Sequence, residues 1–291
     1  MDAGFADRLA ALVEERRSQI VLGLDPDPVA LWPSAVEDAG ERDPTAVARH
    51  CRAVIDAAGP ACVAVKFQLA CFERLGWPGW AALEALLEYT RESGSGLLRI
   101  ADAKRGDVPV TARAYADAFY GDGMAVDAMT ANPLLGRDSL EPIVEGAVRA
   151  GAGCFVLVRT SNPGAAEIQD VPAPERPLHE LFARMVDELG APSVGDCGLS
   201  AVGAVTGATR PQLLERLREL MPRAVFLLPG VGAQGGSVDD LAAAFEPHPA
   251  AGLVAASRSI VNAHADRGGD PAEAAAAAAE ELREAAWRVS H

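Results

Sequence analysis

Short runs of apolar residues recur along the chain, and a segment with helical spacing of its apolar residues separates each run from the next. Apolar runs of about four to eight residues between turn signals are typical of buried parallel strands. The pattern predicts eight strands, at 20–25, 62–68, 97–104, 128–132, 154–159, 201–206, 225–229 and 253–257. It predicts helices near 5–18, 44–58, 78–93, 110–120, 138–150, 177–189, 210–220, 238–246 and 271–288.

Alternating strands and helices indicate an α/β fold with a parallel sheet, and eight such units over 291 residues indicate a closed (β/α)8 TIM barrel. No stretch rich in Gly, Ser or Pro divides the chain, so we expect one domain over 1–291. It has an N-terminal helix and long loops after strand 1, at 26–43, and after strand 5. An open doubly wound sheet is the alternative, and it is disfavoured because no Gly-x-Gly-x-x-Gly motif follows the first strand.

The charge and hydropathy of the chain argue against two classes of partner, nucleic acids and membranes. The formal net charge is −15, the isoelectric point is about 4.8, and no run of basic residues exceeds two. A nucleic-acid partner is therefore not expected, because such proteins carry a basic face. No apolar run has the length that crosses a bilayer, and the charged N-terminus does not read as a signal peptide, so we expect no membrane association.

The five cysteines are scattered and form no Cys-x-x-Cys pair. This spacing disfavours a disulfide framework and a zinc site, and it is typical of reduced thiols in the cytoplasm. We therefore expect a cytoplasmic protein without a metal site.

The strand that ends near Asp107 carries the most informative charges. Side chains alternate along a strand, so Asp102 and Lys104 point to the same side, and Gly106 lets the chain turn before Asp107. Burying such charges is costly unless they are paired. The group is therefore either a structural ion pair or part of a reactive site.

Other polar residues fall at the ends of the predicted strands, where the catalytic groups of (β/α)8 barrels lie. They are Asp25, Lys66, the segment Thr160-Ser-Asn-Pro-Gly164, the segment Gly230-Val-Gly-Ala-Gln-Gly-Gly236 and Arg258. A glycine-rich loop after strand 7 and an arginine after strand 8 predict a phosphate site, since backbone amides and a guanidinium both bind anions. The alternative is a plain glycine-rich turn beside a surface arginine.

Strand alternation also turns Lys66 into the barrel, where Asp102 on the next strand is its obvious partner. A chain of alternating charges, Lys66–Asp102–Lys104–Asp107, follows. Such alternation keeps the lysines protonated and the aspartates ionised. Lys104 is then a cationic acid, and Asp102 is an anion fixed beside the bound molecule.

These motifs resemble the orotidine 5′-monophosphate (OMP) decarboxylase family, and more closely its longer-loop bacterial subgroup. The resemblance runs from the first strand to the last. It rests on Gly23-Leu-Asp25, Val65-Lys-Phe67, Asp102-Ala-Lys-Arg-Gly-Asp107 with Thr111, Ala131-Asn-Pro-Leu-Leu-Gly-Arg-Asp138, Thr160-Ser-Asn-Pro-Gly164, Gly203-Ala-Val-Thr-Gly-Ala-Thr-Arg-Pro211, Leu228-Pro-Gly-Val-Gly-Ala-Gln-Gly-Gly236 and Ala256-Ser-Arg-Ser-Ile260. It implies a cofactor-free decarboxylation of OMP to UMP in pyrimidine biosynthesis.

The resemblance also implies roles for the catalytic residues. Lys104 protonates C6 of the pyrimidine, Asp102 lies against the substrate carboxylate, and Lys66 holds Asp102 and a ribose hydroxyl. Asp107 and Thr111 reach into the site of the neighbouring subunit of a homodimer.

Further residues bind the rest of the nucleotide. Asp25 binds the ribose and Ser161 binds the pyrimidine. Gln234 and Arg258 hold the 5′-phosphate, with help from backbone amides around Gly235. The proline-rich segment from 161 to about 177 is the candidate lid.

Two rival functions remain. A related phosphosugar barrel, such as a hexulose-phosphate synthase, shares Asp-x-Lys-x-x-Asp but uses Mg²⁺ held by additional carboxylates. Here strand 2 ends in Lys-Phe-Gln instead. A non-catalytic nucleotide-binding barrel predicts loss of one charged residue of the chain, and all four are present. Arg105 and Arg137 near the rim are expected to form structural ion pairs.

Overall fold

Eight parallel strands close into one barrel in the computed structural model of the chain, which describes residues 3–36, 43–93, 95–173, 176–232 and 234–291. Each strand pairs with the next along the chain, and the last pairs with the first. The strands are β1 Ile20–Leu24, β2 Ala64–Gln68, β3 Leu98–Arg105, β4 Ala128–Ala131, β5 Gly153–Arg159, β6 Val202–Thr206, β7 Phe226–Pro229 and β8 Gly252–Ala256. The predicted single-domain (β/α)8 barrel is confirmed, and the open sheet is excluded.

Helices surround the barrel in the order that the apolar spacing predicts. The longer ones are α1 Phe5–Arg16, α2 Pro44–Ala58, α3 Trp77–Glu92, α4 Pro109–Tyr120, α5 Arg137–Arg149, α6 Leu178–Gly190, α7 Leu214–Leu220 and α8 Pro271–Val289. Five shorter helices were not predicted: Pro33–Val36, Leu69–Glu73, Ala165–Gln169, Arg258–Val261 and Ala263–Arg267. Each spans only four or five residues, too few to show a periodic pattern.

The helix predicted at 238–246 is wrong. The segment forms two 3₁₀ turns, Val238–Asp240 and Ala242–Phe245. Leu241 and Ala244 are both fully buried and lie three residues apart, a spacing that a 3₁₀ turn places on one face. The helix predicted at 210–220 is shorter than expected, because Pro211–Leu213 forms a 3₁₀ turn before α7.

Side-chain alternation divides the core into two layers. Inward residues such as Ile100 and Phe155 fill the barrel, and α1 covers the amino-terminal end of the barrel with Phe5 and Leu9. The Phe5 and Phe155 rings meet edge to face, with centroids 6.0 Å apart. Outward residues such as Phe67 pack against the helices. Since the amino-terminal end is closed by apolar side chains, the polar site lies at the carboxyl end.

The two long loops both contain ordered structure. The loop after β1 includes the helix Pro33–Val36, and residues 37–42 of the predicted 26–43 insertion lie outside the described residues. The segment after β5 includes the helix Ala165–Gln169 and a small antiparallel pair, Pro172–Ala173 with Arg176–Pro177. Residues 174 and 175 of the candidate lid lie outside the described residues.

An ion pair ties the middle of the candidate lid to the end of β5. The Arg159 guanidinium donates to both carboxylate oxygens of Asp170, at 2.8 and 3.1 Å. This contact holds the pKa of the Asp170 carboxyl below its ordinary value. The Thr160 amide donates to Oε1 of Gln169 at 2.8 Å. The middle of the segment is therefore held against the end of β5.

Candidate active site

The carboxylate of Asp102 lies at the centre of the polar cluster at the carboxyl end of the barrel. Its Oδ2 accepts hydrogen bonds from Lys66 Nζ at 2.6 Å and from Gln68 Nε2 at 3.1 Å. Its Oδ1 accepts from Lys104 Nζ at 2.5 Å and from Thr130 Oγ1 at 2.9 Å. These side chains come from β2, β3 and β4, so three adjacent strands build the cluster.

The charges of this group are mutually stabilised. Burial acts to raise the pKa of the Asp102 carboxyl, but Lys66 and Lys104 outweigh burial and hold that pKa well below its ordinary value. Burial acts to lower the pKa of Lys66, but the charges of Asp102 and Asp25 raise it above its ordinary value. With two lysines and one aspartate, the Lys66–Asp102–Lys104 triad carries a formal net charge of +1.

The backbone at Lys104 adopts an unusual conformation. Its φ is +49°, in the left-handed region that a lysine rarely occupies. The pairing of β3 with β4 shifts register between Ala101 and Arg105, which marks an irregularity of the bulge type at this point. Such irregularities redirect a side chain and recur beside active sites. Lys104 therefore reaches Asp102 from a distorted strand end and not from a regular one.

Sequence reasoning gave no role to two residues of this cluster, Thr130 and Gln68. Thr130 is 1% exposed, and its Oγ1 also accepts the backbone N–H of Lys104 at 2.8 Å. The side-chain alternation along a strand that predicted an inward Lys66 could also have identified these two residues. It places Gln68 on the inner side of β2 and Thr130 on the inner side of β4, next to Asp102.

Four of the predicted site residues line one cavity beside this cluster. The cavity has a volume of about 90 Å³ and lies between the ends of β1, β2, β7 and β8. The four residues are Asp25, Lys66, Gln234 and Arg258. Asp25 and Arg258 are exposed, so their charged groups are open to a bound molecule.

Ser161 and Gln234 line a larger neighbouring cavity of about 510 Å³, together with Arg159 and Arg210. The loop after β6 approaches Ser161 closely, because a Cβ added at Gly207 would lie 2.7 Å from the Ser161 Cα. Gly230 has φ +102°, a conformation that favours glycine. These two glycines let the loops after β5, β6 and β7 converge around Ser161 and Gln234.

The amide of Gly235 already has a partner inside its own loop. It donates to the carbonyl of Gly232 at 2.8 Å, and the amide of Gly236 donates to the carbonyl of Gly230 at 3.0 Å. Residue 233 lies outside the described residues. In this conformation, the predicted help from amides around Gly235 requires a rearrangement of the loop.

Asp107 and Thr111 do not join the cluster of their own chain. Asp107 Oδ1 accepts the backbone N–H of Val108 at 2.7 Å, and within the described residues Asp107 forms no ion pair with a lysine. Thr111 is half-buried in the first turn of α4. The predicted charge chain of four residues is therefore a triad within one protomer.

Two arginines near the rim form structural ion pairs, as predicted. Arg105 pairs with Glu73, and Arg137 pairs with Glu188. Among the residues that the structure describes, no group of three or more His, Cys, Asp or Glu side chains is placed to hold a metal ion. Over the same residues, no helix has the length and apolar character that a membrane crossing requires.

The closed barrel and the lysine–aspartate–lysine triad at its carboxyl end are typical of a (β/α)8-barrel enzyme, whose catalytic groups lie at that end of the barrel. The chain belongs to the orotidine 5′-phosphate decarboxylase / HUMPS family, whose model matches residues 18–278.

Two similar proteins that match over most of this chain are named orotidine 5′-phosphate decarboxylase. An orotidine 5′-phosphate decarboxylase of Rhodopirellula baltica is 41% identical over 270 residues, covering 89% of each chain. One of Deinococcus radiodurans is 40% identical over 283 residues, covering 97% of this chain and 98% of its own. The structure of the OMP decarboxylase of Leishmania donovani is similar with a TM-score of 0.76 and 30% identity, covering 99% of both chains.

Proposed function

We propose that this protein decarboxylates OMP to UMP and carbon dioxide, a step of pyrimidine biosynthesis. The observation that carries the proposal is the Asp102 carboxylate held between the Lys66 and Lys104 ammonium groups at the open end of the barrel. The named relatives, which match over most of both chains, support the same activity.

The geometry supports a direct mechanism. The bond between C6 of the pyrimidine and the carboxylate carbon breaks, and its electron pair stays on C6 as carbon dioxide leaves. The Lys104 ammonium donates a proton to C6 and later regains one from solvent. A cation already aimed at the developing negative charge stabilises the transition state without costly reorganisation. Asp102 repels the substrate carboxylate but not neutral carbon dioxide, so breaking the bond relieves that repulsion.

The remaining site residues bind the nucleotide in this proposal. Asp25 and Lys66 hold ribose hydroxyls, and Ser161 contacts the pyrimidine. Gln234 and Arg258 hold the 5′-phosphate, and Gly235 joins them after its loop rearranges. Support comes from the two adjoining cavities, since Gln234 lines both and connects the Arg258 side of the site to Ser161.

The segment from 161 to 177 is proposed as the lid. Phosphate binding, which is remote from C6, can supply the free energy that closes it. Asn162 and Pro163 line the same cavity as Gln234, so the start of this segment borders the proposed phosphate site. The Arg159–Asp170 ion pair ties the middle of the segment to the end of β5.

We further propose a homodimer in which Asp107 and Thr111 complete the partner's site. Asp107 does not join the triad of its own chain, and two residues near it are apolar and exposed: Val108 is 54% exposed and Val110 is 83% exposed. Leu134 and Leu135, which follow β4, are 67% and 47% exposed. An apolar surface fits burial against a second copy, as does the Asp107 carboxylate, which forms no ion pair among the described residues.

A mixing experiment tests the shared site. Lys104→Ala and Asp107→Ala proteins, each inactive alone, are mixed and allowed to exchange subunits. If sites are shared, some mixed dimers regain one intact site and activity returns. No recovery, after exchange is demonstrated with labelled subunits, contradicts the shared site but leaves the decarboxylase proposal standing.

The family model also covers phosphosugar enzymes, and Mg²⁺ dependence separates the two activities. The proposal requires no metal or other cofactor, no nucleic acid and no membrane. It places the enzyme in the cytoplasm, with which the free cysteines of the described residues agree.

The direct test is the loss of OMP absorbance with EDTA-treated protein, and Lys104→Ala prepared in the same way controls for host enzyme. Rapid decay in the wild type alone supports the proposal. Decay only after Mg²⁺ is restored overturns the metal-free mechanism, and no decay under either condition overturns the decarboxylase proposal and leaves the phosphosugar alternative.

A further inference from the structure

We infer that Thr130 is a positioning residue for Lys104, an inference that rests on the proposed role of Lys104 as the proton donor. Thr130 lies on β4 beside the irregular end of β3, and its side chain is 1% exposed. It touches both the carboxylate and the backbone that set the place of the Lys104 ammonium group. Nothing in the proposed mechanism requires Thr130 to contact the substrate.

The single hydroxyl of Thr130 makes two bonds of opposite sense. It donates to Asp102 Oδ1 at 2.9 Å and accepts the Lys104 N–H at 2.8 Å. A hydroxyl is the smallest side-chain group that donates and accepts at once. Valine has the same shape but can do neither, so this arrangement depends on the oxygen and not on the volume of the side chain.

Both hydrogen bonds lie beside Lys104, where the backbone of β3 is irregular. Lys104 has φ +49°, and the β3–β4 register shifts around it, so a regular strand bond does not fix its amide. Thr130 supplies the acceptor instead. The same hydroxyl binds Oδ1 of Asp102, the oxygen that also accepts Lys104 Nζ at 2.5 Å. Thr130 therefore ties the backbone of the lysine to the anion that its ammonium group faces.

The experiment compares Thr130→Val and Thr130→Ser in the full-length enzyme with OMP as substrate. Loss of a hydrogen bond to a charged group predicts a kcat about 10–100-fold lower in the valine variant, with KM for OMP within about threefold of wild type. The serine variant keeps the hydroxyl, so its kcat stays within about threefold of wild type.

Thr206→Val is the matched control. Thr206 ends β6, is fully buried, and its hydroxyl has no hydrogen-bond partner among the described residues. The same substitution there is expected to leave kcat within about threefold of wild type. If Thr130→Val does not fold, Thr130→Cys replaces it, since cysteine matches serine in size but is a weak donor and acceptor.

The outcomes separate the inference from the proposed function. If the wild type is active and kcat of Thr130→Val is unchanged, the inference alone is overturned. The same holds if kcat falls equally in the serine variant and in the valine or cysteine variant. An inactive wild type overturns both. A kcat loss confined to the variants without the hydroxyl, at nearly constant KM, supports a positioning role that lost packing does not explain.

Discussion

Replacing Asp102 with asparagine is expected to destabilise the protein in a way that depends on pH. The Lys66 and Asp102 side chains are each only 9% exposed, and their charged atoms are 2.6 Å apart. Removing one member of such a pair leaves an uncompensated buried charge, which costs about 3–5 kcal/mol. We therefore expect the free energy of unfolding of Asp102→Asn to fall by that amount near pH 7.

The loss should shrink as the pH rises. In the variant, burial lowers the pKa of Lys66 below its value in the unfolded chain, because the opposing carboxylate is gone. The unfolded state then binds more protons than the folded state between those two pKa values, so stability increases with pH. Wild type lacks this gain, since Asp102 keeps the pKa of Lys66 raised.

The chain offers a matched control at the opposite end of the barrel. Asp127 is also buried between two cations, Arg8 at 2.9 Å and Arg99 at 3.0 Å. Arginine does not release its proton in proteins, so Asp127→Asn should lose the same free energy at both pH values.

The assay is urea unfolding, followed by tryptophan fluorescence at about pH 7 and about pH 10 and at one fixed protein concentration. The reasoning is refuted if Asp102→Asn loses less than about 1 kcal/mol near pH 7, or if its loss does not relax at the higher pH.

Two further predictions concern groups outside the active site. Burial lowers the pKa of His50 to about 4, and its Nδ1 accepts the backbone N–H of Trp32. Because the unfolded histidine titrates near 6.5, the unfolded state binds more protons between the two pKa values, so wild type should lose about 3 kcal/mol as the pH falls from about 6.5 to about 4. His50→Gln should flatten that slope in urea unfolding at several pH values, and an unchanged slope contradicts the assignment. The second prediction is that a thiol reagent at pH 8 labels at most Cys71 and Cys197 in the native protein, because Cys51, Cys62 and Cys154 are buried; rapid labelling of more than two thiols contradicts the packing.

The parts of the fold that depend on local periodicity were predictable from the sequence. Short apolar runs located the eight strands, and period-two alternation within two of them turned Lys66 and Asp102 toward each other, because inward positions repeat regardless of the details of the loops. The prediction of a helix at 238–246 was wrong because the spacing of its apolar residues is also compatible with two successive 3₁₀ turns.

Features of the site that depend on irregular backbone were not predictable. The left-handed backbone of Lys104 has no local signal, since lysine shows no preference for that conformation. Alternation could have placed Thr130 beside Asp102, but its bond to the Lys104 amide depends on the irregular end of β3. The bonded amide of Gly235 likewise depends on how its loop folds back on Gly232. In each case tertiary contacts decide the geometry.

The central claim is that the Lys104 ammonium group drives decarboxylation, and a single-turnover measurement tests it most directly. OMP is mixed with excess Lys104→Ala, wild type or Arg105→Ala, and UMP formation is followed. Arg105 serves as the control because its guanidinium pairs with Glu73. The account predicts a rate at least about 10³-fold lower for Lys104→Ala and a rate near wild type for Arg105→Ala. A Lys104→Ala rate within about tenfold of wild type would contradict it.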